Sequence, residues 1–200
     1  MATSCQSNAQ TYTIETSLGN IQVKLYDNTS LHKANFEKSV AEQVYDSILF
    51  HRIIEGFMIQ TGDPATKPGA NRATTTEGET IPAEFVPENF HKKGALAAAR
   101  MGDPVNPEKR SSPTQFYIVQ GRPFSEEELN FMESYHGKSW TPEQKEIYKT
   151  LGGAPFLDQD YTVFGEVVDG LDIVDKIAAL PTDSRDFPLS DIRIIKITKD

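Results

Sequence analysis

The feature that most constrains the fold of this chain is a series of short segments in which apolar residues recur at every second position. The clearest example runs from Thr11 to Tyr26 and is interrupted by Leu18-Gly19-Asn20. Period-two alternation is typical of strands that bury one face, and an interruption of this kind favours a tight turn. The sequence therefore predicts a β-hairpin whose apolar side is formed by Tyr12, Ile14, Ile21, Val23 and Leu25.

The rest of the chain continues in the same style. Six further segments have the length and composition of strands: Ile48–Ile54, Phe57–Gln60, Ala95–Arg100, Thr114–Val119, Tyr161–Val168 and Asp191–Lys199. Ile194 and Ile195 are adjacent, which interrupts the alternation once and predicts a β-bulge. Helices are predicted from Ser30, as the N-cap, to about Val44 and from Leu171 to Leu180. Short strands, two flanking helices and long loops predict a mainly β fold, an antiparallel barrel or sandwich.

One stretch between two strand segments carries helix signals instead. Ser125-Glu126-Glu127-Glu128 and Thr141-Pro142-Glu143-Gln144 both have the pattern of a capping box, and the second has proline at the first helical position. Gly152-Gly153 is expected to end the second helix. Residues 125–151 are therefore predicted to form an inserted helical hairpin. Its apolar residues are expected to pack on each other and on the barrel: Leu129, Met132, Tyr135, Ile147, Tyr148 and Leu151.

Composition and the N-terminus bear on partners and location. The formal net charge of −9 argues against a general affinity for nucleic acid or for an anionic membrane. Residues 1–10 lack periodicity, so we expect a flexible tail before one domain over 11–200. The sequence as it stands indicates a cytoplasmic protein. Ala2-Thr3-Ser4-Cys5 also resembles the end of a lipoprotein signal, so attachment to the cell envelope or periplasm through Cys5 is the alternative if a leader precedes Met1.

The segment with the strongest chemical signal is FHRIIEGFMIQTGDP, Phe50–Pro64. Arg52 lies within its first strand pattern, and Phe57, Met58 and Gln60 follow on the next. An arginine among large apolar residues costs desolvation free energy unless it is paired or lies at a cleft. The residues alone leave two interpretations: a structural arginine whose head reaches water or a carboxylate, and a functional cation at a cleft.

Two later segments complete a recognisable pattern. LAAAR at 96–100 is followed by SPTQFYI at 112–118, and FLDQDYTVFGEV spans 156–167. With Phe50–Pro64 and the opening hairpin, in this order, the sequence resembles the cyclophilin-type peptidyl-prolyl cis/trans isomerases, and bacterial members in particular. The resemblance covers about residues 11–199 apart from the helical insertion. It implies a closed eight-stranded antiparallel barrel capped by two helices.

The resemblance also implies an activity, rotation about X-Pro peptide bonds in the service of protein folding, and a set of site residues. The catalytic residues would be Arg52, Gln60 and Phe57. The proline pocket would be formed by Phe57, Met58, Tyr117 and Leu157, with Phe156 and Tyr161 at its edge. The groove for the rest of the peptide would be lined by His51, Ala99, Arg100 and Gln115.

The implied partners are proline-containing peptides and unfolded proteins, and no cofactor or metal is implied. Phe156 and Tyr161 stand where tryptophan and histidine are found in the best-known eukaryotic members, so cyclosporin binding is expected to be weak. Tyr117 replaces a pocket phenylalanine, and Arg100 stands where asparagine is usual. We expect a monomer. The inserted hairpin has a second interpretation in this context, as a rim of the proline pocket that affects substrate choice.

Other functions have weaker support in the sequence. A metal site using His51, Glu55 and His91 lacks a helical ligand face, and Ser111-Ser112 with His51 lacks the surroundings of a hydrolase nucleophile. A proline-peptide binding module or chaperone without catalysis is the main alternative to an isomerase. The combination of Arg52 with a pocket-forming set of residues favours the enzyme.

Overall fold

The computed structural model describes residues 10–71, 73 and 78–200. Within them, eight strands are present: β1 Thr11–Thr16, β2 Gly19–Leu25, β3 Arg52–Ile54, β4 Met58–Thr61, β5 Ala95–Ala98, β6 Phe116–Val119, β7 Val163–Asp169 and β8 Ile194–Lys199. The same residues form four α-helices: α1 Ser30–Ala41, α2 Glu126–His136, α3 Pro142–Thr150 and α4 Leu171–Ala178. Cys5, with residues 1–9 of the expected tail, lies outside the described residues.

The strands form one antiparallel sheet in the order β3-β4-β6-β5-β7-β2-β1-β8, which confirms the mainly β antiparallel class. The expected full closure needs a correction. In the part of the chain that the structure describes, the edge strands β3 and β8 share no ladder, and an isolated bridge joins Leu49 to Arg193 just before them. The backbone N–H of Phe50 donates to the carbonyl of Ile192 nearby (2.9 Å). The sheet is a curled half-barrel whose two edges are connected by these few hydrogen bonds.

Both predictions about strand register are confirmed. β1 and β2 pair from Thr11 opposite Lys24 to Thr16 opposite Gly19, which confirms the hairpin, but the turn is at residues 17–18, one residue before the predicted Leu18-Gly19-Asn20. Along β8, Thr16 lies opposite Ile194 whereas Glu15 lies opposite Lys196. The ladder therefore passes over Ile195, which is the bulge expected from the interrupted alternation.

Helix α1 begins at Ser30, so Ser30 is not its N-cap as predicted. Thr29 occupies that position and makes no side-chain capping bond. Instead the Glu84 carboxylate accepts hydrogen bonds from the backbone N–H groups of Leu31 (3.1 Å) and His32 (3.0 Å). A remote carboxylate can replace a local cap because it satisfies the free N–H groups and its charge suits the positive end of the helix.

The central strands β5 and β6 are buried on both faces, which explains their continuous apolar sequences, and β4 is buried except at Gln60. On the inner face, residues such as Ile59, Leu96 and Ile118 join the main core beneath α1 and α4. On the outer face a second cluster includes Met58, Ala95, Ala97, Tyr117 and Val119. This outer cluster forms the floor of the candidate site.

The inserted helices are capped as the sequence predicts. Both capping boxes are complete: the Ser125 hydroxyl accepts from Glu128 N and the Thr141 hydroxyl accepts from Gln144 N, with the return bonds present. The insertion has a small core of its own, formed by Phe124, Leu129, Trp140 and Tyr148. The packing prediction is wrong for Tyr135 and Leu151, which are exposed. Trp140 is buried in this small core, although the helical pattern did not indicate it.

Candidate active site

The outer face of the central strands carries a cavity of about 110 Å³. Nine of the twelve residues expected from the sequence line it: Arg52, Phe57, Met58, Gln60, Ala99, Arg100, Tyr117, Leu157 and Tyr161. The other three, His51, Gln115 and Phe156, lie around it. Residues up to 109 positions apart in the chain, from Arg52 to Tyr161, therefore meet at one place.

Strand register explains how the polar residues meet. Arg52 on β3 lies opposite Gln60 on β4, and Gln60 lies opposite Tyr117 on β6. Neighbouring strands are about 4.8 Å apart, so these side chains form a row about 10 Å long across three strands. Ala99, just after the adjoining strand β5, lines the cavity and leaves space that a larger side chain would fill. The cavity is thus a consequence of pairing and of side-chain size.

Arg52 has apolar neighbours in the sequence, but its side chain keeps much of its contact with solvent. Its side chain is 44% exposed, and its Nε donates to Asp186 Oδ2 at 3.3 Å. The Asp186 carbonyl accepts from the Ile53 backbone N–H (2.8 Å), which fastens the Asp186 loop beside β3. Sequence reasoning missed Asp186 because it lies 134 positions from Arg52 in a loop without a motif. The guanidinium is both ion-paired and part of the cavity wall.

The glutamines connect the cavity to a second groove. Gln60 Nε2 donates to Gln115 Oε1 at 3.0 Å. Gln60, Ala99 and Arg100 also line a groove of about 370 Å³ that includes Gln115 and Met101. His51 is outside both linings, and its backbone N–H donates to the Gln60 carbonyl (3.0 Å). The groove and the cavity therefore share Gln60, Ala99 and Arg100, and His51 is bonded to Gln60 through the backbone.

Close approach of two backbone segments requires a glycine at the end of β4. Gly62 has a φ of +93°, and a Cβ there would lie 2.2 Å from the Thr114 carbonyl oxygen. Any side chain would push the Thr114–Gln115 segment away from Gln60. Gly62 thus permits the contact between the two glutamines.

Aromatic and cationic side chains form the rim. Phe156 is 43% exposed, and its ring packs on that of Phe57 with 5.2 Å between centroids. The Arg100 guanidinium lies 4.5 Å from the centre of the Tyr161 ring, and its Nε donates to the Asp160 carbonyl at 2.7 Å. Arg100 is therefore held by a cation–π contact and a backbone bond at the edge of the cavity.

A buried polar network lies beneath the floor and was not anticipated. The Tyr117 hydroxyl donates to His91 Nε2 (3.0 Å), and His91 Nδ1 donates to Asp158 Oδ1 (2.7 Å). Asp158 Oδ2 accepts from Trp140 Nε1 (2.7 Å) and from the Tyr148 hydroxyl (2.5 Å). Burial raises the pKa of Tyr117 well above its usual value, so the hydroxyl stays protonated. The network joins the cavity floor to the inserted hairpin. The tyrosine at position 117 is the one feature of the sequence that could have indicated a polar partner there.

The alternative sites do not form. In the described parts of the chain, no three His, Cys, Asp or Glu side chains are grouped so as to hold a metal ion. Ser111 contacts His32 rather than His51: its Oγ lies 2.9 Å from His32 Nε2, and His32 Nδ1 lies 2.7 Å from Glu84. Ser111 is only 1% exposed, so this chain of groups cannot reach a substrate. Among the helices described, none is long and apolar enough to cross a membrane.

Comparison with known proteins decides the family. The family model described as cyclophilin type peptidyl-prolyl cis-trans isomerase/CLD matches residues 11–199. The chain belongs to the cyclophilin-type peptidyl-prolyl cis-trans isomerases. The resemblance seen in the sequence is thereby confirmed, and so is the enzyme class that it implied.

Relatives from bacteria and a parasite agree with this assignment. A Staphylococcus aureus protein named as a peptidyl-prolyl cis-trans isomerase is 34% identical over 186 residues, covering 92% of this chain and 88% of that protein. A Streptococcus pyogenes protein named as a bifunctional phosphatase/peptidyl-prolyl cis-trans isomerase is 36% identical; the match covers 91% of this chain and 37% of that longer protein. A cyclophilin from Cryptosporidium parvum has the same fold, with a TM-score of 0.70 and 23% identity over 96% of this chain and 97% of the other.

Proposed function

We propose that this cyclophilin isomerises X-Pro bonds in peptides and unfolded proteins without covalent chemistry, using Arg52 as the catalytic cation. The proline ring would enter the 110 Å³ cavity over Met58 and Tyr117. The observation that carries this proposal is the row of Arg52, Gln60 and Tyr117 across β3, β4 and β6, set above an apolar floor. It places a cation beside a slot of suitable chemistry for proline.

The chemistry requires a group that favours a twisted amide. The barrier to rotation is about 18–20 kcal/mol because amide resonance is lost on the way. At the twisted transition state the prolyl nitrogen gains a lone pair that can accept a hydrogen bond. A guanidinium aimed at that nitrogen stabilises the twisted state more than either planar state, which is the differential binding that catalysis needs.

Arg52 suits this role because of how it is held. Its Nε donates to Asp186, and its side chain lines the cavity. In the proposal the terminal nitrogens of the guanidinium donate to the prolyl nitrogen. Arginine has five donors in a fixed plane and keeps its charge near neutral pH. The Gln60 amide, held by Gln115, would take the backbone of the substrate beside it. No step needs a nucleophile.

The magnitudes fit a weakly binding catalyst. Burial of three proline methylenes contributes about 2–3 kcal/mol, at about 0.8 kcal/mol each. A rate gain of about 10⁵ requires about 7 kcal/mol, of which one well-placed donor supplies about 3–4 kcal/mol. The remainder is assigned to holding the peptide so that only one side of the bond turns.

Three further properties belong to the proposal. A cyclophilin structure from C. parvum was determined in the presence of the dipeptide Ala-Pro, which supports proline-containing peptides as ligands here. We propose weak cyclosporin binding, because Phe156 and Tyr161 replace the tryptophan and histidine of well-known members. We also propose a monomer with one domain over 11–200, preceded by a short tail.

Steady-state kinetics test the proposal. Arg52→Ala should lower kcat/KM for a short X-Pro peptide by about 100-fold or more in a protease-coupled assay, as removal of one catalytic donor does elsewhere. Arg185→Ala is the matched control, since Arg185 is 86% exposed and pairs only at a surface. Binding of the peptide by the wild-type protein without acceleration of exchange would favour a silent binding module instead.

A further inference from the structure

A second cavity lies near the proline cavity, and Phe156, whose ring packs on Phe57, is part of its wall. It has a volume of about 280 Å³, and the inserted hairpin provides most of its wall. We call it the insertion groove; it is lined by Phe131, Met132, His136, Lys138, Phe156 and Asp160. The mechanism proposed above uses none of its volume.

The groove presents clustered aromatic surface. Phe131 is 54% exposed and Tyr135 is 73% exposed, and their rings stack with 4.5 Å between centroids. Phe131 and Phe156 line the groove, and Tyr135 adjoins the lining through its stacking on Phe131. Single exposed apolar residues are normal in proteins, but several around one concave site indicate binding of an apolar group.

The charged side chains Lys138 and Asp160 of the groove are already paired. Lys138 Nζ lies 2.6 Å from Asp160 Oδ2 and also donates to the Asp158 carbonyl, and its side chain is 9% exposed. Asp160 also pairs with Lys109. Since the lysine and the aspartate satisfy each other, the groove favours an apolar ligand over an anion.

The wall of the groove is held in place before any ligand arrives. A capping box begins α2, and Trp140, just beyond that helix, donates to the buried Asp158 carboxylate. Binding would therefore require little ordering of the hairpin, which favours affinity.

The groove lies beside the proline cavity. The Phe156 ring that lines the groove packs on Phe57, and Leu157, next in the chain, lines the proline cavity. An extended peptide advances about 3.3–3.6 Å per residue. Two or three residues therefore span about 7–11 Å, which is enough to pass a pair of rings whose centroids are 5.2 Å apart.

We infer that the insertion groove is a subsite for a large apolar side chain of the substrate, aromatic above all, located about two or three residues from the proline. This inference rests on the proposed function, because it places the proline in the neighbouring cavity. It gives the inserted hairpin a role in substrate choice. We assign the occupant to the same peptide because Phe156 of the groove packs on Phe57 of the proline cavity, and because Leu157, next in the chain, lines that cavity.

The test uses matched peptides and matched variants. One X-Pro peptide has alanine at the flanking positions; the others have phenylalanine two or three residues before or after the proline. The wild-type enzyme should prefer one phenylalanine peptide by about 5- to 20-fold in kcat/KM, chiefly through KM. Phe131→Ala should reduce this preference to about 2-fold or less and leave the alanine peptide unaffected. Leu31→Ala, at an exposed helical position on α1 (48% exposed), should keep the full preference.

The outcomes distinguish failure of the subsite from failure of the proposed function. Equal rates for all peptides, with the alanine peptide isomerised, would overturn the subsite and leave the proposed function standing. A preference that survives in both Phe131→Ala and Tyr135→Ala would also overturn it. Failure to isomerise any of the peptides would overturn the proposed function and the subsite with it.

Discussion

Asp158 is the centre of the buried network, and its replacement by asparagine should be costly. Its carboxylate accepts four hydrogen bonds: from His91 N (2.8 Å), His91 Nδ1 (2.7 Å), Trp140 Nε1 (2.7 Å) and the Tyr148 hydroxyl (2.5 Å). Its side chain is 6% exposed. An amide has one oxygen and one NH₂ group, so the NH₂ would face two of the four donors whichever way it is turned.

The expected loss follows from those contacts. Hydrogen bonds to a charged group contribute about 1.5–3 kcal/mol each, and a buried donor left unsatisfied costs about 1–3 kcal/mol. With two bonds lost, and some relief from removing a buried charge, Asp158→Asn should cost about 3–5 kcal/mol. At about 2–4 °C per kcal/mol for a domain of this size, Tm should fall by about 6–20 °C.

Thermal unfolding followed by circular dichroism measures this loss, with Asp172→Asn as the control. Asp172 is 69% exposed and pairs with Lys176 on the surface of α4, so its replacement should cost less than about 1 kcal/mol. If the two variants lost equal stability, the idea that the network fastens the hairpin to the cavity floor would be refuted. A larger loss for Asp158→Asn supports it.

Three further results are expected. Asp186→Asn should lower kcat in steady-state assays with little change in Tm, because the carboxylate orients Arg52. Asparagine tolerates the φ of 64° at this position. An unchanged kcat would contradict this role. Tyr117→Phe should cost about 1–3 kcal/mol in urea unfolding, since it leaves the buried imidazole beneath it without a donor; no loss would count against the network. Burial lowers the pKa of His32 from 6.5. Burial alone would raise the pKa of Glu84, but the hydrogen bonds from His32 and from the Leu31 backbone together lower it from 4.5. The unfolded chain therefore takes up protons first, so stability should be full above pH 6.5 and fall through 6.5 and then 4.5; His32→Gln should flatten the upper part of Tm against pH, and an unchanged curve would refute the assignment.

The features predicted correctly from local sequence patterns are those that depend on residues close together in the chain. The hairpin over 11–26, the bulge at Ile195 and both capping boxes depend on residues within a few positions of one another, and all of them are present. The residues of the candidate site came from the resemblance, because strand alternation alone says which face is buried but not where a cavity opens. Their meeting in one cavity depends on the pairing of β3, β4 and β6.

Contacts between segments that are distant in the chain could not be predicted from local sequence patterns. Asp186 beside Arg52, Asp158 beneath Tyr117 and Glu84 at the start of α1 all act across loops, where no periodicity marks them. Tyr135 was expected to be buried because helical spacing gives an apolar stripe without saying how much of the stripe a neighbour covers. Closure of the barrel depended in the same way on how far the β3 and β8 edges extend.

The measurement that tests the central claim most directly is the rate of cis–trans exchange on the enzyme, obtained by exchange NMR with an excess of a short X-Pro peptide. It separates rotation of the bound peptide from binding. In Arg52→Ala the on-enzyme rate should fall by about 100-fold or more, while the Kd of the peptide changes by less than about 3-fold because the apolar floor is intact. Arg52→Lys keeps the charge and loses the planar fork, so its on-enzyme rate should lie between those of the wild type and Arg52→Ala. An Arg52→Ala enzyme that turns the bound prolyl bond as fast as the wild type would contradict the account.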